Sequence, residues 1–304
     1  MLLEAIRRKA EDAPLKFIAD CENGFREKLD ALAHAVASDS ESRPVVLLSG
    51  PSGSGKTTTA HKLKECLERT GLDTHIISMD NYFRTFTKEE KELFSRHELD
   101  LESPERVDGD LLSSHICDIL NGKTVRVPRY DFITNISHMS DESLCLHKGE
   151  VIIFEGIHAL NPSVIASADD YTSRLYVSVR TRIEHPAAGE RFLLHPAKIR
   201  LARRLIRDKR ERARSFADVI SLYNSVERGE NLYIMPYKYR ADYDVDTFVP
   251  YEACVYKSLL PASMPEEEAK HPWLTELFEV LDGLPAIDPA LVPRDALIRE
   301  FIGQ

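Results

Sequence analysis

The sequence predicts an α/β protein with an open sheet and helices, and three observations carry that prediction. The first is Gly50-Pro51-Ser52-Gly53-Ser54-Gly55-Lys56-Thr57, which fits the phosphate-loop (P-loop) pattern G-x-x-x-x-G-K-[ST]; the apolar run Val45 to Leu48 enters it and a helix-forming segment, Thr57 to Arg69, leaves it. The second is a set of further short runs that read as strands, at 74–78, 124–128, 151–154 and 174–179, with helical patterns among them. The third is that two strands deliver acids, Asp80 and Glu155, at their carboxyl ends, where ligands of open α/β sheets bind.

Each part of the loop has a physical task. Glycines at 50, 53 and 55 put no Cβ in the way, so successive backbone N–H groups can curl round a phosphate. The helix that follows adds the positive end of its dipole at the same place. Lys56 is suited to reach the β- and γ-phosphates of a nucleotide, and the Thr57 hydroxyl to complete the shell of a bridging Mg²⁺. The candidate phosphate ligands are therefore Gly50, Ser52, Gly53, Ser54, Gly55, Lys56, Thr57 and Thr58. A plain Gly/Ser turn would need neither the lysine nor the hydroxyl at those offsets.

In chain order, residues 1–43 carry helical spacing, with Leu29, Leu32, Ala33 and Val36 at i, i+3, i+4 and i+7, and end in the polar run Ser38-Asp39-Ser40-Glu41-Ser42. They are expected to be a packing extension and linker without chemistry. Residues 44–250 hold the main core. The strand at 74–78 ends at Met79-Asp80-Asn81-Tyr82-Phe83. An Asp there can begin a turn or cap a helix, but its place beside the nucleotide makes Asp80 the candidate base for a hydroxyl that is to be phosphorylated. Lys88 to Asp108 reads as helical, then irregular; a helix over 111–120 is stopped by Asn121-Gly122, and a short strand at 124–128 leads into Arg129-Tyr130-Asp131-Phe132. The buried strand at 151–154 carries Glu155, where an acid, more usually Asp, holds Mg²⁺ or its waters.

Beyond the strand at 174–179 lies the most basic stretch: Arg200, Arg203, Arg204, Arg207, Lys209, Arg210, Arg212 and Arg214. Helical spacing puts Leu201 and Leu205 on a buried face and Arg200, Arg203 and Arg207 on an exposed one. In a chain of net charge −10 this concentration reads as an anion clamp, for which the planar fork of arginine is suited. In the tail, 251–304, Leu274, Leu277, Phe278 and Leu281 mark a helix closed by Gly283, and Pro293 opens another that runs to Ile302. Trp273 reads as core or an interface anchor, and no chemistry is expected in this part.

Composition excludes several classes. The net charge argues against sequence-independent nucleic-acid binding, and no apolar run approaches the ~20 residues that span a bilayer. The opening Met1-Leu2-Leu3-Glu4-Ala5-Ile6-Arg7-Arg8-Lys9 is too charged for a secretory signal, so a cytoplasmic protein is expected. Five scattered cysteines, with no C-x-x-C pair, read as reduced thiols. A homo-oligomer, dimer or tetramer, is compatible with all of this.

Taken in order, GPSGSGKTTTA, ISMDNYF, ESPERVD, VRVPRYDF, IIFEGIHAL, RLARRLIRDKRERAR and GENLYIMPYKYRADYDV resemble the uridine kinase and phosphoribulokinase family of P-loop kinases, over roughly 44–250. The ending ALIREFIG looks like that of a bacterial branch in which a threonyl-tRNA synthetase-like region precedes the kinase; only about 43 residues stand there here. The resemblance implies a P-loop NTPase-type parallel sheet of about five strands between helices, a mobile lid, ATP or GTP as donor with Mg²⁺, and a ribose 5′-hydroxyl as acceptor. It makes Asp80 the catalytic aspartate, with Lys56, Arg204 and Arg207 at the reacting phosphates. Glu155 is the acid near the metal, Arg212 and Arg214 are lid arginines, and Tyr82, Glu102, Tyr130, Asp131 and Asn135 form the acceptor site. Glu102 stands where the family usually has Asp on the ribose hydroxyls, Asn135 where uridine-cytidine kinases have a base-reading histidine, and Ala213 where the lid usually has glycine.

Other functions leave different marks. Another small alcohol as acceptor, as in phosphoribulokinase or pantothenate kinase, is the first alternative, and Tyr130 with Asp131 favours a planar base over it. A GTPase switch would need N-K-x-D and D-x-x-G, and neither occurs. A non-catalytic nucleotide binder is opposed by Lys56, Thr57, Asp80 and Glu155 standing together.

Overall fold

Alternation along the central strands sets the architecture. In β1 (Val45–Ser49), Val46 and Leu48 face one side of the sheet and Val45 and Leu47 the other, all buried. The computed structural model, which describes residues 1–96, 98–165, 169–187, 190–211, 214–260 and 271–304, surrounds that strand with an all-parallel sheet. The other four strands are β2 (Asp73–Ser78), β5 (Glu150–Glu155), β6 (Thr172–Ser178) and β9 (Tyr243–Asp246), in the order β2-β5-β1-β6-β9. Strands in such a sheet need crossovers, and helices supply them on both faces.

One face is covered by α3 (Lys56–Arg69) and by parts outside the central segment: α1 (Leu3–Asp12), α2 (Pro14–Asp39), α8 (Glu252–Leu259), α9 (Thr275–Asp282) and α10 (Arg299–Ile302). As the spacing predicts, Leu29, Leu32, Ala33 and Val36 of α2 are buried, and they share one cluster with Leu63 of α3 and Leu277 of α9. The N-terminal extension and the tail are thus walls of the main core. The other face is covered by α5 (Gly109–Leu120), whose Asp108 cap accepts from Leu111 N–H, and by the hairpin of β3 (Val125–Asp131) and β4 (Ile136–Leu144).

Several expectations are corrected. The strand expected at 124–128 forms as β3 but pairs antiparallel with β4 outside the main sheet, whose fifth strand is β9. β4 is mostly exposed and shows no apolar alternation, so period-two reading had nothing to detect. A second hairpin, β7 (Ile183–Ala187) with β8 (Glu190–Leu194), was not expected either. The helix expected from Pro293 forms only at Arg299–Ile302. The largest correction concerns α6 (Pro196–Glu211). Leu201 and Leu205 are buried as expected, but Arg200, Arg203 and Arg204 are buried too and Arg207 is half-buried, because the helix lies against the loop with that face inward. α7 (Phe216–Gly229) follows, opened by a Ser215–Asp218 capping box and continued by a π turn at Glu230–Ile234.

Candidate active site

The phosphate loop joins β1 to α3, and its backbone is held from outside. Gly53 (φ 75°) and Gly55 (φ 85°) adopt the left-handed conformation that favours glycine. Gly50 is needed for a different reason: a Cβ there would lie 2.0 Å from the Val177 carbonyl oxygen of β6. The carbonyls of residues 52, 53 and 54 each accept from a neighbouring side chain: Arg200 Nη1 at 3.2 Å, Arg203 Nη1 at 3.1 Å and Thr247 Oγ1 at 2.7 Å. Across a planar trans peptide the following N–H points the opposite way, so this bracing turns the N–H groups of Gly53, Ser54 and Gly55 away from the bracing side chains; that of Ser54 donates to the Pro51 carbonyl at 3.1 Å.

The bracing arginines are themselves locked. Arg203, fully buried, forms a two-pronged ion pair with Glu252 at 2.7 and 3.0 Å and donates to the Thr247 carbonyl. Arg200 grips Glu230 of the π turn at 2.6 and 2.8 Å. Arg204 donates to the Ser52 hydroxyl at 2.8 Å. Lys56, half-buried at the start of α3, rests its ammonium 3.3 Å from the Pro51 carbonyl, and Thr57 is exposed at the helix opening.

Three acids stand at this mouth. Asp80 lies in the short turn after β2, half-buried. Glu155 ends β5, in register with Leu48 of β1 and Ser78 of β2, and is buried. Burial pushes its carboxyl up to about 7; the charge of Asp80 adds to the rise, while Lys56 opposes it. Glu102 is likewise raised, by burial first and by Asp80 and Asp100, against the pull of Arg204 and Lys56. Its stem packs where a Cβ on Gly229 would have to be, 2.3 Å from the Glu102 Cβ, so a glycine ends α7. Asp100, held by Tyr233 and Arg228 at 3.1 and 3.2 Å, accepts the Glu102 N–H. The fold therefore brings Lys56, Asp80, Glu102, Glu155 and Arg204 into one electrostatic unit.

The other expected residues stand elsewhere. Tyr82 is a core side chain, 1% exposed, with its hydroxyl 3.0 Å from His115 Nδ1, and does not line an acceptor site. Arg207 and Arg214 both turn to the buried Asp208, at 2.9 and 3.8 Å. Arg212 and Ala213, and with them the centre of the expected lid, lie outside the described residues. Asp131 closes the β3–β4 turn, accepting from Ile133 N–H and the Thr134 hydroxyl at 2.8 Å each. Asn135 has φ 57° in the same turn and accepts from the Tyr130 hydroxyl at 3.3 Å. That turn is tied to the segment after Asp80 by Phe86 N–H to the Asn135 carbonyl, 3.2 Å, and Ser137 N–H to Thr85 Oγ1, 2.9 Å. Tyr130, Phe83 and Phe132 pack edge to face there, with ring centres 5.0 to 6.2 Å apart.

Two neighbours of the site were missed by sequence reasoning. His158, three residues beyond Glu155, is 1% exposed, neither of its ring nitrogens reaches a hydrogen-bond partner among the described residues, and burial lowers it to about 4, so it is neutral near pH 7. Its closeness to the acidic strand end was the available signal. Glu300, in the tail, accepts from both the N–H and the hydroxyl of Thr58. It is 242 residues away in sequence, and no local pattern could have pointed to it.

A braced phosphate loop, a lysine at its end and acids on the two neighbouring strand ends define the nucleotide-binding core of a P-loop protein. The model of the phosphoribulokinase / uridine kinase family matches residues 45–251, and the chain belongs to that family. A uridine kinase of Staphylococcus aureus (strain JH9) is 34% identical over 201 residues, 65% of this chain and 84% of that one. Uridine-cytidine kinase 2-B of Danio rerio is 30% identical over 181 residues; the match takes in 58% of this chain and 62% of the Danio rerio protein's length. Among solved structures, phosphoribulokinase from Rhodobacter spheroides matches with a TM-score of 0.47 and 17% identity, covering 69% of this chain and 74% of that one.

Proposed function

We propose that the protein transfers the terminal phosphoryl group of ATP or GTP to the 5′-hydroxyl of a nucleoside, and that the segment 44–250 carries this chemistry in the cytoplasm, with 1–43 and 251–304 packed on it. The observation that carries the reading is the convergence of Asp80, Glu102, Lys56 and Arg204 at the mouth of the braced loop. In this reading the loop N–H groups and Lys56 hold the donor phosphates. Asp80 takes the proton of the acceptor hydroxyl as its oxygen bonds to the γ-phosphorus and the bond to the leaving diphosphate breaks. Arg204 stabilises the charge on the transferring group, and Glu102 holds the ribose hydroxyls.

The residues present fit Mg²⁺. Asp80 and Glu155 are neighbouring acids whose joint ionisation is penalised, and the exposed Thr57 hydroxyl adds a neutral oxygen donor. No cluster of three or more acids, cysteines and histidines suited to a metal occurs among the described residues. Thr57 and Glu155 would hold it, directly or through water, and when bound it supplies neutralisation of phosphate charge.

The aromatic group Phe83, Tyr130 and Phe132 beside the Asp80 turn favours a planar base on the acceptor over a bare sugar alcohol. Since the Asn135 amide oxygen already accepts from Tyr130, its NH₂ is the end that can turn to a base. The preference for uridine and cytidine is accordingly weaker than in enzymes with a histidine there. The test is kcat/KM for uridine, cytidine, adenosine, guanosine, inosine and ribose with Mg²⁺ and labelled ATP, in the parent and in Asn135→His. Turnover of a non-nucleoside alcohol and of no nucleoside overturns the proposal; strict pyrimidine selectivity in both proteins removes Asn135 from the choice of base.

A further inference from the structure

The phosphate loop already faces an anion that belongs to the chain. Helix α3 opens with N–H groups that no carbonyl of its own can take, and these are the groups that a phosphate chain uses. Thr58 is the third residue of α3, and both its N–H and its hydroxyl donate to one oxygen, Oε2 of Glu300, at 3.1 and 2.8 Å. Glu300 lies in α10, outside the segment 45–251 that matches the family.

The backbone that presents Glu300 is firmly seated. Leu297, Ile298 and Phe301 are buried, and the Arg203 guanidinium stands 4.9 Å from the centre of the Phe301 ring. Arg299 donates to the carbonyls of Pro289, Val292, Pro293 and Gly303. Leu297 packs 3.4 Å from the place a Cβ of Gly55 would take, so the tail meets the loop itself. The Glu300 side chain, by contrast, is half-buried and borders a cavity of about 710 Å³ that Thr57, Arg207 and Arg210 also line.

We infer that Glu300 is a built-in competitor for the phosphate chain of the donor nucleotide: its carboxylate occupies the Thr58 N–H and hydroxyl until a phosphate takes them. The side chain then turns away from Thr58, while the tail backbone stays in place. Two anions cannot share one N–H and one hydroxyl, and like charges this close repel, so donor affinity is set against the cost of displacing Glu300. A tail outside the family segment thus tunes the affinity for the donor. The inference rests on the nucleotide-dependent reading above.

The test is calorimetric titration of the full chain with a non-hydrolysable ATP analogue and Mg²⁺, comparing the parent with Glu300→Gln, which keeps the amide oxygen as acceptor and removes the charge. The variant is expected to bind about tenfold more tightly, with a gap that narrows as salt is raised. Inorganic triphosphate should show a similar gain, because the competition is for phosphate. Equal or weaker binding by the variant, together with a lower Tm, would make Glu300 a structural helix cap and overturn the inference alone. A gain for the ATP analogue with none for triphosphate would also overturn it, placing the effect on the nucleoside. No nucleotide binding by either protein would remove the underlying reading and the inference with it.

Discussion

Replacing Glu155 by Gln should make the ligand-free protein more stable at pH 8. Glu155 is buried at the end of β5 beside Asp80, and its carboxyl is pushed from an ordinary 4.5 up to about 7. At 1.36 kcal/mol per pKa unit, keeping it ionised in the fold costs about 3 kcal/mol. The sign follows from the direction of the shift. A raised acid is held more tightly protonated in the folded state, so the penalty is absent below the unfolded value, grows as pH rises through that window and is complete above the folded value. Gln keeps the volume and removes the charge. Urea unfolding should therefore show Glu155→Gln more stable than the parent by up to about 3 kcal/mol at pH 8 and by under about 1 kcal/mol at pH 5. With Mg²⁺ and nucleotide the order should reverse, since the variant lacks the Glu155 carboxylate and leaves the cation only that of Asp80. A variant less stable than the parent at pH 8, or a gain of the same size at both pH values, would refute the account of Glu155 as a buried acid awaiting a cation.

Lys56→Ala should lower phosphoryl transfer at least about a hundredfold with the fold intact, because the side chain lies at the loop and not in the core; activity within threefold would remove the loop from the mechanism. Asp80→Asn should reduce kcat about a hundredfold with little change in apparent ATP affinity, whereas a loss confined to ATP affinity would make Asp80 a ligand of metal or nucleotide. Arg203→Met leaves Glu252 buried without its partner and frees the Gly53 carbonyl, and urea unfolding should show a loss of about 3 to 5 kcal/mol; a loss below about 1 kcal/mol would show that the pair does not hold the loop. Asn135→Gly should keep the Tm within a few degrees, while Asn135→Val, a β-branched residue at φ 57°, should lower it clearly; equal values would show that the turn tolerates any residue.

The placing of residues in short stretches was legible. Gly53, Gly55, Lys56 and Thr57 take their positions from local backbone geometry at fixed offsets, Asp80 follows β2 by two residues and Glu155 ends β5, so pattern and position were enough to locate them. Tyr82 shows where such reading fails: it is next but one to Asp80, yet its ring goes into the core and meets His115. Asp131 and Asn135 were read through the acceptor, and the structure places both in the turn of a hairpin whose exposed second strand has no apolar period.

By itself the sequence determined the position and glycine pattern of the loop, the α/β class and the amphipathic packing of α2, because each depends on neighbours within about one turn of helix or one strand. Only the tertiary structure decided which way the arginines of α6 face. Helical spacing sorts side chains by hydrophobicity and assumes that charges look outward. That assumption fails where another part of the chain offers carboxylates and carbonyls to meet the charges, as Glu252, Gly53 and Thr247 do for Arg203 and Glu230 does for Arg200. The same holds for Glu300, whose meeting with Thr58 depends on how the tail packs across the main core. Contacts between residues far apart in sequence exist only once the sheet and its helices are assembled, and they are what turned a recognisable loop into a braced one that the tail reaches.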